Sequence, residues 1–124
     1  MREIKFRAWD EWQNRMVEWD EFQERYNMHV FDTSITESHP MQFTGLKDRN
    51  GVEIYEGDII KYHYFYFSNG SEIENECVCS VKWDDTFANF DAMDKDGFAH
   101  FLGQASDDGI EVIGNIYEHP ELLK

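Results

Sequence analysis

Four dipeptides constrain this chain more than anything else in it: Asn50-Gly51, Asn69-Gly70, Asp96-Gly97 and Asp108-Gly109. Each joins a residue that tolerates positive φ to a glycine, the combination that tight hairpin turns require. Between these turns the apolar pattern has period two rather than 3.6. In residues 72–84, Ile73, Cys77, Cys79, Val81 and Trp83 share one parity, while Glu72, Glu74, Glu76, Ser80, Lys82 and Asp84 share the other. Only Asn75 and Val78 break the alternation, so the segment reads as a long strand with one wet face. Residues 59–67 differ, with Ile60, Tyr62, Tyr64 and Tyr66 on one side and Ile59, Phe65 and Phe67 on the other. A strand apolar on both parities is central and covered twice, or lies at an interface. It could also pair across a dimer axis, making a homo-oligomer one use for it.

At the start, Ile4, Phe6 and Ala8 alternate with Glu3, Lys5 and Arg7, and a polar turn at residues 10–14 precedes Met16–Trp19, which predicts a β-hairpin with a solvated face. Residues 20–39 admit two readings: residues 21–25 suit a short helix and residues 28–31 a strand. Near the end, Pro120 and Glu121 suit the first turn of a short helix. Asp48-Arg-Asn-Gly51 and Asp94-Lys-Asp-Gly97 are one four-residue turn used twice, without a longer repeat around them.

A length of 124 residues suits a single domain, and 41% hydrophobic with 16% aromatic residues is too rich for a disordered acidic tail. The acidic excess is large, 26 Asp and Glu against 11 Lys and Arg, a formal charge of −15. It is uneven: residues 1–62 carry 8 basic and 13 acidic side chains, or −5, and residues 63–124 carry 3 and 13, or −10. Phosphate neutralisation dominates nucleic-acid affinity, so this balance disfavours direct binding of DNA or RNA. No apolar run approaches the roughly 20 residues of a membrane helix. Residues 1–7 hold no apolar signal core, which makes the cytoplasm the expected compartment.

Metal and catalytic motifs do not complete themselves. With Gly97 at position six of a calcium loop, Asp94 and Asp96 fall on ligand positions, but Ala92 and Gly103 occupy the first and last. Cys77 and Cys79 are the only cysteines, and His29, His39, His63, His100 and His119 lack zinc-motif spacing, so the thiols read as inert core residues, with no metal and no cofactor expected. No nucleophile–base motif is present, which argues against an enzyme. A hydrolase or metal enzyme would need Asp84, Asp85, Asp91 or His100 to converge; the acidic pair Asp107-Asp108 reads as a solvated turn.

Three segments together resemble the YopX family. They are residues 2–10, Arg-Glu-Ile-Lys-Phe-Arg-Ala-Trp-Asp; residues 41–51, Met-Gln-Phe-Thr-Gly-Leu-Lys-Asp-Arg-Asn-Gly, running into Ile54-Tyr55-Glu56-Gly57-Asp58-Ile59-Ile60; and residues 112–118, Val-Ile-Gly-Asn-Ile-Tyr-Glu, followed by Pro120-Glu121-Leu122-Leu123. The resemblance spans the chain in the family's order. It implies a small β-rich protein of phages and prophages, with no activity established for the family as a whole and no catalytic residues to transfer. The Gly57-Asp58 bend into a β-branched strand is also how SH3-like barrels enter a strand, an analogy at the level of fold. The expected architecture is mainly β: a small SH3-like or related barrel, with an N-terminal β-hairpin subdomain and a short C-terminal helical turn. It forms one domain over residues 1–124, with subdomains at 1–39 and 40–124.

The expected function is that of a non-enzymatic accessory protein that binds a host or phage protein. Tyr62, Tyr64 and Tyr66 with Glu72, Glu74 and Glu76 are the candidate contact residues. The alternative is an acidic nucleic-acid mimic, because three carboxylates at i, i+2, i+4 stand along one strand face at intervals of about 6.6 Å.

Overall fold

The computed structural model describes residues 3–27, 40–102 and 109–124. The strand-like segment at residues 28–31, the acidic pair Asp107-Asp108 and the Asp108-Gly109 turn fall wholly or partly outside them. Among the described residues, nine strands form two antiparallel sheets. The first, in the order β2-β1-β3-β4, comprises β1 (Phe6–Asp10), β2 (Arg15–Val17), β3 (Met41–Lys47) and β4 (Glu53–Tyr55). The second, in the order β8-β7-β6-β5-β9, comprises β5 (Asp58–Ser68), β6 (Ser71–Asp84), β7 (Asn89–Asp94), β8 (Ala99–Phe101) and β9 (Ile110–Asn115). Strands β5 to β8 form a four-strand meander, a fifth strand, β9, returns to pair with β5, and the sheet curls into a half-barrel. A 3-10 turn at Pro120–Leu123 ends the chain, as the proline predicts.

The N-terminal hairpin forms, and a helix, α1 (Trp19–Asn27), follows it. Acidic Asp20 and Glu21 occupy its favourable first turn, and Arg15 clamps the Glu21 carboxylate with both guanidinium nitrogens at 2.7 and 2.5 Å. Helices this short draw their stability from packing, and Trp19 and Phe22 dock on Phe6 with ring centroids 6.3 and 6.2 Å away.

The solvated face expected for β1 is corrected by the structure. Arg7 is buried, its Nη2 2.5 Å from the buried Asp58 Oδ1 and its guanidinium 4.6 Å above the Tyr55 ring. The partners that cover this face arrive some fifty residues later in the chain. The hairpin shares its sheet with strands on the far side of residue 40, since Phe6 pairs with Gln42 and Arg7 with Met41.

The core lies on the inner face of the half-barrel, where Ile60, Tyr62, Cys79, Val81, Phe90, Ala92 and Ile110 pack against Ile54 and Leu102. Gly57 lets β5 enter it. Its φ is +87°, its N–H donates to the Val81 carbonyl at 2.9 Å, and a Cβ there would lie 2.8 Å from Met41 Sδ. The doubly apolar reading of β5 holds at its root, where Ile59 and Ile60 are both fully buried.

Candidate functional site

Beyond that root, β5 and β6 leave the sheet. The β9 ladder covers β5 only from Asp58 to Tyr62, and the β7 ladder covers β6 only from Cys79 to Asp84, whereas β5 and β6 pair with each other out to Ser68 and Ser71. Among the described residues, 63–78 are therefore a two-stranded arm. At its tip Asn69 (φ 52°) and Gly70 (φ 79°) both take positive φ, the tight turn expected of Asn-Gly. With no further strand beside it among the described residues, the arm exposes side chains on both faces: Phe65 is 56%, Tyr66 43% and Phe67 77% accessible.

The ladder register divides the six candidate contact residues. Tyr62 stands opposite Cys77, Tyr64 opposite Asn75 and Tyr66 opposite Ile73, on the face continuous with the core. Glu72 stands opposite Phe67, Glu74 opposite Phe65 and Glu76 opposite His63, on the other face. Tyr62 belongs to the core, with burial raising its phenol pKa, and Tyr64 is half-buried, so Tyr66 alone of the three is exposed. All three glutamates are exposed, and His63 reaches two of them, with Nδ1 3.3 Å from Glu74 and Nε2 2.7 Å from Glu76. Phe65 and Phe67 stand across from Glu74 and Glu72, so this face carries a row of aromatic side chains on β5 beside a row of carboxylates on β6.

A second group gathers where the arm leaves the sheet. Cys77 and Cys79 point to the same inner face of β6 with their sulfurs 3.3 Å apart. His100 comes from β8, two strands away, and its Nε2 lies 3.7 Å from Cys77 Sγ and 3.1 Å from Asp94 Oδ2. The imidazole lies against the rings of Tyr62 and Tyr64, 5.3 and 5.1 Å between centroids. Burial pushes both thiol pKa values up, which keeps the sulfurs protonated and poor nucleophiles at neutral pH. Cys79 is fully buried, as a core thiol should be; Cys77 is half-buried and borders a cleft of about 400 Å³ also lined by Asp94 and Leu123.

The acidic residues weighed for hydrolytic chemistry separate. Asp84 and Asp91 come together across β6 and β7, where burial first and then Asp84 raise the Asp91 pKa. Asp85 is exposed, and His100 stands with the cysteines instead.

The profile of the YopX protein matches residues 5–124. The chain belongs to the YopX family. The three segments that carry the resemblance meet in this YopX-family chain: Arg7 pairs with Asp58, Trp9 stacks on Tyr117 at 5.4 Å, and Asp48 accepts the Val112 N–H at 2.9 Å. A solved structure similar to it is the crystal structure of protein EF1440 from Enterococcus faecalis, 28% identical over the whole of both chains with a TM-score of 0.60. No curated protein matches the chain. Among the described residues no helix is long and apolar enough to cross a membrane.

Two features of the YopX-family chain escape a reading by spacing. Phe65 and Phe67 are the most exposed side chains of the arm's aromatic run, yet the tyrosines of the opposite parity stand out in sequence because they continue the core. His100 reaches the thiols across three strands, so no motif of fixed spacing contains it; the Cys-Val-Cys alternation, which puts both sulfurs on one face, is its only trace.

Proposed function

We propose that this chain is a non-enzymatic accessory protein of a phage or prophage, acting in the bacterial cytoplasm by seating the β5–β6 arm on another protein. The observation that carries the reading is the arm itself: a ribbon projecting past its sheet, with three large aromatic side chains in solvent where a monomer has no need of them. Glu72, Glu74 and Glu76 run along β6 beside Phe65 and Phe67 of β5, so the complementary surface is an apolar groove with Lys and Arg along one side. The phage or prophage setting rests on family membership.

The test compares the wild type with a Phe65→Ser, Phe67→Ser double variant. Both positions are exposed, so stability should change by no more than about 0.5 kcal/mol each. A host protein captured by the wild type is identified, purified and titrated against both. Loss of at least about tenfold in affinity in the variant, and weakening with salt, are expected. Equal capture by both forms rejects the arm as the contact surface. A wild-type dimer that the variant abolishes would instead make the occupant a second copy of this chain.

A second reading, an acidic mimic of nucleic acid, draws on the exposed glutamate row. It requires that Glu72→Gln, Glu74→Gln and Glu76→Gln together relieve inhibition of a nuclease or other DNA- or RNA-binding enzyme. His63 between Glu74 and Glu76, and the aromatics interleaved with them, make this face a weaker likeness of a phosphate backbone.

A further inference from the structure

We propose that Cys77, Cys79 and His100, with Asp94 beside the imidazole as the nearest fourth donor, form a binding site for one zinc-class divalent cation. The sulfur atoms and a ring nitrogen of the first three lie within 4.8 Å of one another, and among the described residues no other group of three His, Cys, Asp or Glu side chains does so. Bond lengths of about 2.3 Å to sulfur and about 2.0–2.2 Å to nitrogen or oxygen set the edges of a zinc tetrahedron at roughly 3.8 Å between sulfurs, 3.5 Å from sulfur to nitrogen and 3.4 Å from nitrogen to oxygen. The corresponding separations are 3.3 Å for Cys77–Cys79, 3.7 Å for Cys77–His100 and 3.1 Å for His100–Asp94. These three edges, of the six in a tetrahedron, each lie within about half an ångström of what a cation at the centre requires.

The fourth corner is set by a comparison within the molecule. The turns at Asp48 and Asp94 are built alike: the aspartate Oδ1 accepts the N–H groups two and four residues on, at 2.8 and 2.9 Å for Asp48 and at 2.9 and 3.0 Å for Asp94. In the first turn the remaining oxygen is committed to structure, accepting the Val112 N–H of β9 at 2.9 Å. In the second, the same oxygen is held beside His100 Nε2. The turn thus fixes a carboxylate whose second oxygen faces the imidazole nitrogen.

Topology explains how residues so far apart in sequence converge. Cys79 is the ladder partner of Asp94, and Val81, Ala92 and His100 form the next row across β6, β7 and β8. The small, fully buried Ala92 lets the imidazole lean over β7 toward β6. The cleft bordered by Cys77 and Asp94 is the path by which an ion arrives. Two sulfurs and an imidazole select zinc, or cobalt as its spectroscopic substitute, over calcium and magnesium. On binding, both thiols release their protons to solvent and the imidazole carries its proton on Nδ1, leaving Nε2 to bind the metal. Four protein ligands leave no open position, so the ion is structural: it ties β8 to β6 and braces the root of the arm.

The experiment is metal analysis of the full-length protein purified under reducing conditions without chelator, followed by cobalt titration of the chelator-stripped form. About one zinc per chain is expected, and cobalt should give the intense visible bands of a tetrahedral site with a thiolate charge-transfer band. Cys77→Ser and His100→Ala should each weaken cobalt binding more than about 100-fold, and Asp94→Asn about tenfold, with folding checked by circular dichroism. Because Cys79 is buried, Cys77→Ser is the thiol variant of choice. The wild type decides the matter even if a variant misfolds: thiols that titrate fully as free in a metal-free preparation, with cobalt producing no thiolate band, overturn the proposal. Cobalt spectra unchanged in folded Cys77→Ser and His100→Ala overturn it equally.

Discussion

Asp48 shows how much one side chain can organise. It is buried, and its two oxygens accept three backbone N–H groups, from Asn50, Val52 and Val112, binding its own turn to β9. Burial, the largest single influence, pushes its pKa up, but the three donors together bring it below the ordinary carboxylate value. A carboxyl whose folded pKa is depressed contributes stability that is fully present above its unfolded pKa and is lost as pH falls through the folded value. Asp48→Ala should therefore cost about 2–4 kcal/mol near neutral pH, because three donors lose their acceptor. The difference between wild type and variant in urea midpoint should shrink as the pH is lowered below the carboxylate range. A gap that stays constant with pH would mean that the loss is one of packing rather than of charge.

Among the elements, turns and alternation were legible in sequence because they depend on neighbours in the chain. Gly57 and Gly51 make the point quantitatively. Both have positive φ, +87° and +81°, but a Cβ at Gly51 meets nothing within 4 Å, whereas one at Gly57 meets Met41 Sδ at 2.8 Å. Gly51→Ala should cost only the left-handed backbone penalty of about 1–2 kcal/mol. Gly57→Ala adds displacement of Met41 from the β3–β5 contact and should cost about 1–3 kcal/mol more. Equal denaturation midpoints for the two variants would show that Met41 moves aside freely. What spacing could not reveal depends on residues brought from elsewhere. Arg7 reads as a solvated cation until Asp58 covers it. The short helix read at residues 21–25 forms as Trp19–Asn27 because Phe6 supplies the surface it docks on, while the strand read at residues 28–31 lies outside the described residues. The β5 strand was open to two readings, central or interfacial, and the structure divides it, with Ile59 and Ile60 buried at the root and Phe65 and Phe67 bare at the tip. For the candidate site, alternation put Cys77 and Cys79 on one face, but only the three-strand ladder could add His100 to them.

For the whole molecule, the question is whether two sheets behave as one folding unit. They are joined where β1 meets β5, through Arg7 and Asp58, and again where Trp9 stacks on Tyr117. Burial is the dominant influence on Asp58 and raises its pKa; the Arg7 charge is the strongest influence opposing it. Removing the cation leaves a buried carboxylate uncompensated, so Arg7→Met should destabilise the protein by about 3–5 kcal/mol near neutral pH. Without Arg7 the Asp58 pKa rises further. A group whose folded pKa is raised contributes stability that is present below the unfolded pKa and lost as pH rises through the folded one, so the variant should recover part of its deficit on acidification. Urea midpoints at about pH 7 and about pH 5 test this, and an unchanged deficit would show that Asp58 stays ionised without its partner. The same titrations report on cooperativity. In a Trp83→Phe background, which removes the one tryptophan of the second sheet, Trp9, Trp12 and Trp19 follow the first sheet and its helix, while far-UV circular dichroism follows mainly the longer strands of the second. In the wild type the two signals should change together. If Arg7→Met makes the tryptophan transition precede the dichroism transition, the ion pair is what makes the two sheets one unit; if the transitions stay coincident, the Trp9–Tyr117 stack and the β3–β4–β5 connection suffice.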